Sequence, residues 1–517
     1  MSRAIRLLLF FLASHLFWQP AIAQDDSVEA TETVSEVAPY IQNLRDAVQK
    51  VAVKEAESKD CSFALPIFEN AIKDETQFAQ LQQTSRRLVL YHLVECAVAL
   101  EQYQLALQHI SALVKLQEDK EFQLTRWFDL AIYLGDPEQG QLALARMVAI
   151  QPDLLSGIKR RDLFSHWRAL EYTDTPEENR FELGKWFRDY TPPGGIYRPG
   201  TFDVDLAKGL IKQGQIKQAE TVLLANPSAE SIRNVHILNL YAPLREKPGF
   251  AKKFDLMEAY FSQLKWELEV MENQPKSLAA VLEVVGSYRF FGETAKALEL
   301  AMTAWQKINN SDQAFDDVED QRASLLFVLV RSQFDLGQFV EANTLLQILI
   351  DENPKNAWYP AYLAHFLMLA DQPQKAIDLV MGLPKNTHSD LVEMAVQNTL
   401  ACAHAQLGNR IEMDRSLSYL AGHHADNPAA LTTALLCANR PDQTAASYIR
   451  RLRQPFAQQT TLFSLQNFQN MPIGTKWQQT IRQRRQQVIQ RPDVQSAISK
   501  IGRIIDVPFS DSHWGDW

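Results

Sequence analysis

The stretch SLLFVLVRSQFDLGQFVEANTLLQILIDENP, Ser324 to Pro354, decides the fold. Leu326, Leu329, Val330 and Phe334 recur at helical spacing, and Leu336-Gly337-Gln338-Phe339 turns the chain. Ala342, Leu346 and Leu349 then line a return helix that Pro354 stops. Gly supplies the positive φ that a helix end needs, and Pro cannot continue a helix. Turns of this kind recur near Asp60, Glu101, Gly135, Asp174, Gly214, Pro248, Gly292, Gly337, Asp371, Gly408 and Arg440, on average 38 residues apart. Some carry start signals as well. Thr175-Pro176-Glu177-Glu178 offers a cap, a first-turn Pro and two acids at the positive end of a helix dipole, and Asp136-Pro137-Glu138 does the same. Such a period predicts an array of paired helices in which each unit buries its apolar face against its neighbours.

The unit around Gly337 resembles a tetratricopeptide repeat, a helix–turn–helix of about 34 residues. With Ala342 at position 20, Leu326, Leu329, Leu346 and Pro354 fall at positions 4, 7, 24 and 32 of that pattern, while Val330, Gln333 and Leu349 depart from it. Leu363-Ala364 and Leu400-Ala401 take positions 7 and 8 of their units, and Ala297 and Ala376 take position 20, where Met413 departs. Tyr288 supplies the aromatic at position 11. The match is good over 278–428 and weak elsewhere. The resemblance implies an all-α chain, a right-handed superhelical solenoid of paired antiparallel helices that works by binding other proteins.

Composition agrees with a folded chain. Hydrophobic residues make up 46% and charged residues 22%, and Gly is only 19 of 517. Arg3 and Arg6, an apolar run from Leu7 to Phe17, and Ala21-Ile22-Ala23 predict a secretory signal over 1–23, too short to span a bilayer. The expected organisation is that signal peptide, an acidic flexible leader over 24–38, the helical repeat solenoid over 39–439, and a basic, aromatic C-terminal capping or contact region over 440–517. The expected location is the periplasm, as a soluble protein without a membrane span, with secretion from another kind of cell as the alternative.

An exported chain with an even number of cysteines favours disulfides. Cys61 and Cys96 are 35 residues apart, as are Cys402 and Cys437. Cys61 opens a return helix and Cys96 ends the next unit's first helix, so both face one edge of the array. The second pair is less tidy, because Cys402 lies six residues before Gly408 whereas Cys437 lies almost at its turn.

No catalytic fingerprint accompanies the repeats. The sequence lacks G-x-S-x-G, H-E-x-x-H, a phosphate-binding loop and a Gly-rich dinucleotide motif. Cys402, His404, His423, His424 and Cys437 match no zinc-ligand spacing. Glu57-Ser58 resembles the catalytic pair of lytic transglycosylases, but the rest of that domain is missing. The expectation is therefore a protein without enzymatic activity, cofactor or metal.

Two segments break the repeat. Thr191-Pro192-Pro193-Gly194-Gly195-Ile196-Tyr197-Arg198-Pro199-Gly200 cannot be helical and reads as a protruding loop. Between Arg440 and Ile505, eleven Lys and Arg face only Asp442 and Asp493, a net +9, whereas residues 24–439 carry −18. One reading is a basic cap docked on the acidic array. The other is a contact site for an anionic partner, with Arg450, Arg451, Arg453, Arg482, Arg484, Arg485 and Trp477 as its candidates. Nucleic acid is not expected to meet an exported protein. The function expected is a scaffold for protein–protein interaction or assembly in the cell envelope, and the alternative is a carbohydrate-related envelope role. Exposed Trp and Tyr with carboxylates would favour sugar, and apolar residues with Asn, Lys and Arg would favour peptide.

Overall fold

A computed structural model describes residues 33–53, 61–116, 121–170, 173–188, 198, 200–311, 314–383, 389–470, 472 and 474–510. The expected signal peptide, Glu57-Ser58, Asp60 and the loop 191–200, apart from Arg198 and Gly200, lie outside the described residues. Among those residues no helix is long and apolar enough to cross a membrane.

Where one solenoid over 39–439 was expected, the chain forms two compact units, Met1–Arg180 and Phe181–Trp517. The division falls shortly before the Pro- and Gly-rich stretch that interrupts the helix pairs. In the first unit α1 (Thr33–Val53) pairs with α2 (Cys61–Lys73), followed by a short α3 (Glu75–Gln80). The pairs α4 (Gln83–Ala99) with α5 (Tyr103–Leu116) and α6 (Glu121–Leu134) with α7 (Pro137–Ile150) come next, then α8 (Arg160–Ala169). The division falls within α9 (Pro176–Phe187). Helix α1 begins inside the stretch expected as a flexible leader. Val34, Val37, Ile41 and Leu44 carry one apolar helical spacing from before Pro39 to beyond it, which explains the difference.

The second unit pairs α10 (Asp203–Lys212) with α11 (Ile216–Ala225). It continues through α12 (Ala229–Ile237), short α13 (Ala242–Arg245) and α14 (Phe250–Lys253), and α15 (Leu256–Asn273). Five helix pairs follow: α16 (Leu278–Phe291) with α17 (Thr294–Asn310), α18 (Val318–Asp335) with α19 (Phe339–Glu352), α20 (Trp358–Leu369) with α21 (Pro373–Met381), α22 (Asp390–Leu407) with α23 (Arg410–Gly422), and α24 (Pro428–Cys437) with α25 (Pro441–Arg453). The chain ends in α26 (Pro455–Ser464), β1 (Asn467–Phe468), α27 (Lys476–Ile489), α28 (Pro492–Ser499) and β2 (Asp506–Val507). Strands β1 and β2 pair in parallel, a small departure from the all-α expectation.

One turn geometry joins most of the pairs. Glu101, Gly135, Gly214, Gly292, Gly337, Asp371, Gly408 and Asn439 all have positive φ. After each, the next amide donates to the carbonyl five residues back, at 2.7–3.0 Å, as in Gln338 to Gln333 and Asn409 to His404. This closure satisfies carbonyls that a helix end leaves without partners. Seven of the turn positions expected from sequence are the left-handed residues themselves, and Arg440 is one residue past Asn439. Pro248 precedes Gly249, which has positive φ but opens α14 instead of closing a pair. Asp174 has no positive φ.

The tetratricopeptide-like positions build the core. Ala297, Ala342, Ala364, Ala376 and Ala401 are buried, and their small side chains let neighbouring helices approach. Leu326, Leu329, Leu346 and Leu349 are buried between them, each contributing about 1.5–3 kcal/mol. Val330 and Gln333, which depart from the pattern, are buried as well. Both cysteine pairs are bridged, with Cα atoms 4.9 Å apart at Cys61–Cys96 and 5.0 Å at Cys402–Cys437. The second bridge forms despite its uneven placement because α22 packs beside α24, which is shorter. The end of α24 thus meets α22 about one and a half turns before that helix ends.

Candidate functional site

The feature that organises the second unit is its C-terminal strap, residues 465–510. The first helices of the pairs end in carbonyls that the turn closure leaves partly unpaired. The strap supplies donors to three such ends, of α16, α20 and α24, and to the end of α12. Arg503 donates from its backbone amide to Ile237 (3.0 Å) and from Nε to His236 (2.7 Å), at the end of α12. At the end of α16, the Ser510 amide donates to Phe290 (2.8 Å) and Asn470 Nδ2 to Phe291 (2.9 Å). The Thr475 hydroxyl donates to Leu369 at the end of α20 (2.7 Å). Arg484 Nη1 donates to Leu436 (3.0 Å) and Cys437 (2.6 Å) at the end of α24.

Apolar burial holds the strap down. Val507 and Phe509 are buried with Tyr260, against Phe290, Phe291 and Phe468. The rings of Phe290 and Phe509 stack 4.4 Å apart. Leu462, Leu465, Val488, Val494 and Ile498 form a second cluster with Ile237 and Leu436. A capping box starts α27, with the Thr475 hydroxyl accepting from the Gln478 amide and Gln478 Oε1 accepting from the Thr475 amide.

The structure does not gather the seven basic-end candidates into one surface. Arg451 is buried in α25, where Nη1 donates to the Thr432 hydroxyl at 3.3 Å. Arg484 is turned onto α24, and burial lowers its pKa. Trp477 packs on the cluster that holds Cys402 and Cys437, with the Arg484 guanidinium 5.4 Å from its ring. Arg482 and Arg485 are half-buried on α27, and Arg450 and Arg453 are exposed in the last turn of α25.

Buried polar groups that sequence reading missed lie on both units. In the second unit, Glu267 Oε1 accepts from Gln263 Nε2 at 2.8 Å. Burial pushes its pKa up to about 7, opposed by hydrogen bonds from Ser287 and Gln263 and by Arg198, and reinforced by Glu283. Arg198, from the Pro- and Gly-rich stretch, donates to the Ser262 hydroxyl at 2.9 Å. In the first unit, His166 is fully enclosed, 2.9 Å from Gln141 Oε1, and burial lowers its pKa to about 4. Nothing in the local sequence marks these residues. For the strap, the readable signals were the basic charge of the C-terminal region and the Thr475-x-x-Gln478 spacing of the capping box.

A separate edge of the second unit carries exposed apolar side chains. Leu336 and Val340 flank Gly337, and Leu407 and Ile411 occupy the same two positions around Gly408. Val340 and Ile411 are each 75% exposed. No Trp is among the exposed large side chains of the described residues.

No protein-family model matches the chain, and no curated protein sequence matches it. Similar solved structures include the TPR domain of P58(IPK), 14% identical, covering 80% of this chain and 98% of that one at a TM-score of 0.17. Yeast Tom70 is 13% identical, covering 91% of this chain and 100% of that one at a TM-score of 0.23.

Proposed function

We propose that this is an exported scaffold that binds protein partners in the cell envelope and carries out no turnover of its own. The observation that carries the reading is the repeated apolar pair at the hairpin tips, Leu336 with Val340 and Leu407 with Ile411. An array that buries its core still leaves these aliphatic side chains to solvent at the same two positions of two turns, and exposed apolar side chains that join into a patch mark contact surfaces. The carbohydrate reading is the alternative, and the exposed rings of Phe63, Tyr133 and Phe261 among the described residues are the side chains it would use. Two buried disulfides support export, since such bonds persist in oxidising compartments. The apolar run and small residues of 1–23 support the same route, with the periplasm as the compartment. The basic end serves first to hold the strap, leaving Arg450 and Arg453 as the exposed members of the seven candidates for an anionic contact.

The test is a photo-crosslinking amino acid placed at Val340 or Ile411 in the native host, with buried Leu346 as the control position. Discrete protein adducts at the two tips and none at Leu346 are expected. Tips that yield no adduct, together with retention of the protein on envelope polysaccharide, would replace this reading with the carbohydrate one.

A further inference from the structure

The Cys402–Cys437 bridge and helix α27 share one foundation. Both cysteines belong to a single apolar cluster, and Trp477 and Ile481 of α27 pack against it. Arg484, two turns further along α27, donates to the carbonyls of Leu436 and of Cys437 itself. Cys437 therefore gives its sulfur to the bridge and its carbonyl to the strap. Leu436 and Cys437 are the last residues of α24, where carbonyls lack helical partners and where helices fray most readily. Where those two acceptors lie depends on what holds the end of α24, and the bridge to α22 is the covalent part of that hold.

We propose that closing the Cys402–Cys437 bridge docks α27, so that the C-terminal strap is completed only after oxidation. The inference rests on the export reading above, because that route brings the chain to an oxidising compartment. In the step itself, the thiolate of one cysteine attacks a disulfide-bearing oxidant to give a mixed disulfide. The second thiolate displaces the oxidant as a thiol. One sulfur–sulfur bond forms in the chain, one breaks in the oxidant, and two electrons pass to the oxidant with the two thiol protons. The reduced chain has the repeats but lacks the fixed end of α24 on which Arg484 closes. The Cys61–Cys96 bridge lies in the other compact unit and has no such role.

The experiment compares the full mature chain, unchanged in sequence, refolded with and without reductant. Amide exchange over 476–489 is expected to be about tenfold faster or more in the reduced chain, the signature of local opening. Cys61→Ala with Cys96→Ala is expected to leave that exchange unchanged. Coupling is reciprocal, so Arg484→Gln should shift the dithiol–disulfide equilibrium of Cys402–Cys437 several-fold toward the reduced form in a dithiothreitol redox buffer. Equal exchange over 476–489 in oxidised and reduced chains of equal helix content overturns the proposal. If the reduced chain fails to regain its helix content, the Cys402→Val, Cys437→Ala pair, which keeps the cluster apolar, decides by the same comparison. Recovery of the native protein from the cytoplasm with free thiols at both positions would sink the export reading and this proposal together. A formed bridge with unaltered exchange sinks this proposal alone.

Discussion

Glu267 and His166 are buried titratable side chains whose effects on stability run in opposite directions with pH. Glu267 keeps its proton up to a pKa of about 7 in the fold, against a usual value of 4.5. Between those values the folded chain binds more protons than the unfolded one, so stability from this group falls as pH rises. His166 has a folded pKa of about 4 against 6.5. Between those values the unfolded chain binds more protons, so its contribution is present above 6.5 and is lost as pH falls. Each shift corresponds to roughly 3 kcal/mol at most. Glu267→Gln is therefore expected to raise the unfolding midpoint at pH 8 and leave it nearly unchanged at pH 5. His166→Gln is expected to flatten the loss below pH 6. Thermal melts at pH 4 to 8 check both, and an unchanged pH slope in Glu267→Gln refutes the first. Neither residue was legible in the sequence. A lone Glu or His on a helix reads as a solvated side chain, and only the packing of Ser287, Gln263 and Glu283 around one, or Gly140 and Phe128 around the other, makes it otherwise.

At the scale of the element, the hairpin turn was the most legible feature, because its requirement is local. A residue with positive φ must follow each first helix, and Gly meets that requirement without strain. The structure shows that Glu101 and Asp371 adopt the same conformation at φ 58° and 59°. A non-Gly residue there costs about 1–2 kcal/mol, while Gly costs about 0.4–1 kcal/mol through the unfolded chain. Glu101→Gly and Asp371→Gly should each stabilise their own unit by about 0.5–1 kcal/mol by this difference. Gly337→Ala should destabilise the second unit by about 1 kcal/mol from φ alone, since a Cβ there meets nothing within 4 Å. Urea unfolding measures all three, and a loss of stability in Glu101→Gly would count against the shared closure. The expected anchors at Asp174 and Pro248 missed because turn-forming residues also end helices in other ways. At Gly249 the left-handed residue starts a short helix, a use that composition does not distinguish.

For the second unit taken whole, the strap alters what kind of array it is. In an open repeat array each unit touches only its neighbours, so loss of the last repeat is felt only locally. Here hydrogen bonds join residues 179, 260 and 267 positions apart. The sequence could not reveal this. Most of the strap's partners are backbone groups, which every residue has, and the tie depends on the path of the chain after Ser464. A basic end on an acidic chain suggested docking, but not that Arg503 would reach His236 or that Asn470 would reach Phe291. Removing the chain after Gln454 should therefore act at a distance. It strips Val507 and Phe509 from Tyr260 and leaves the carbonyls of His236, Ile237, Phe290 and Phe291 without these donors. Amide exchange is expected to rise by about tenfold or more over 229–241 and 278–291, far from the cut, as well as over 428–453 beside it. The first unit, read over 83–150, should keep its exchange rates. Protection at 229–241 that survives the truncation, with only 428–453 affected, would show that the repeats hold themselves and that the strap merely rests on them.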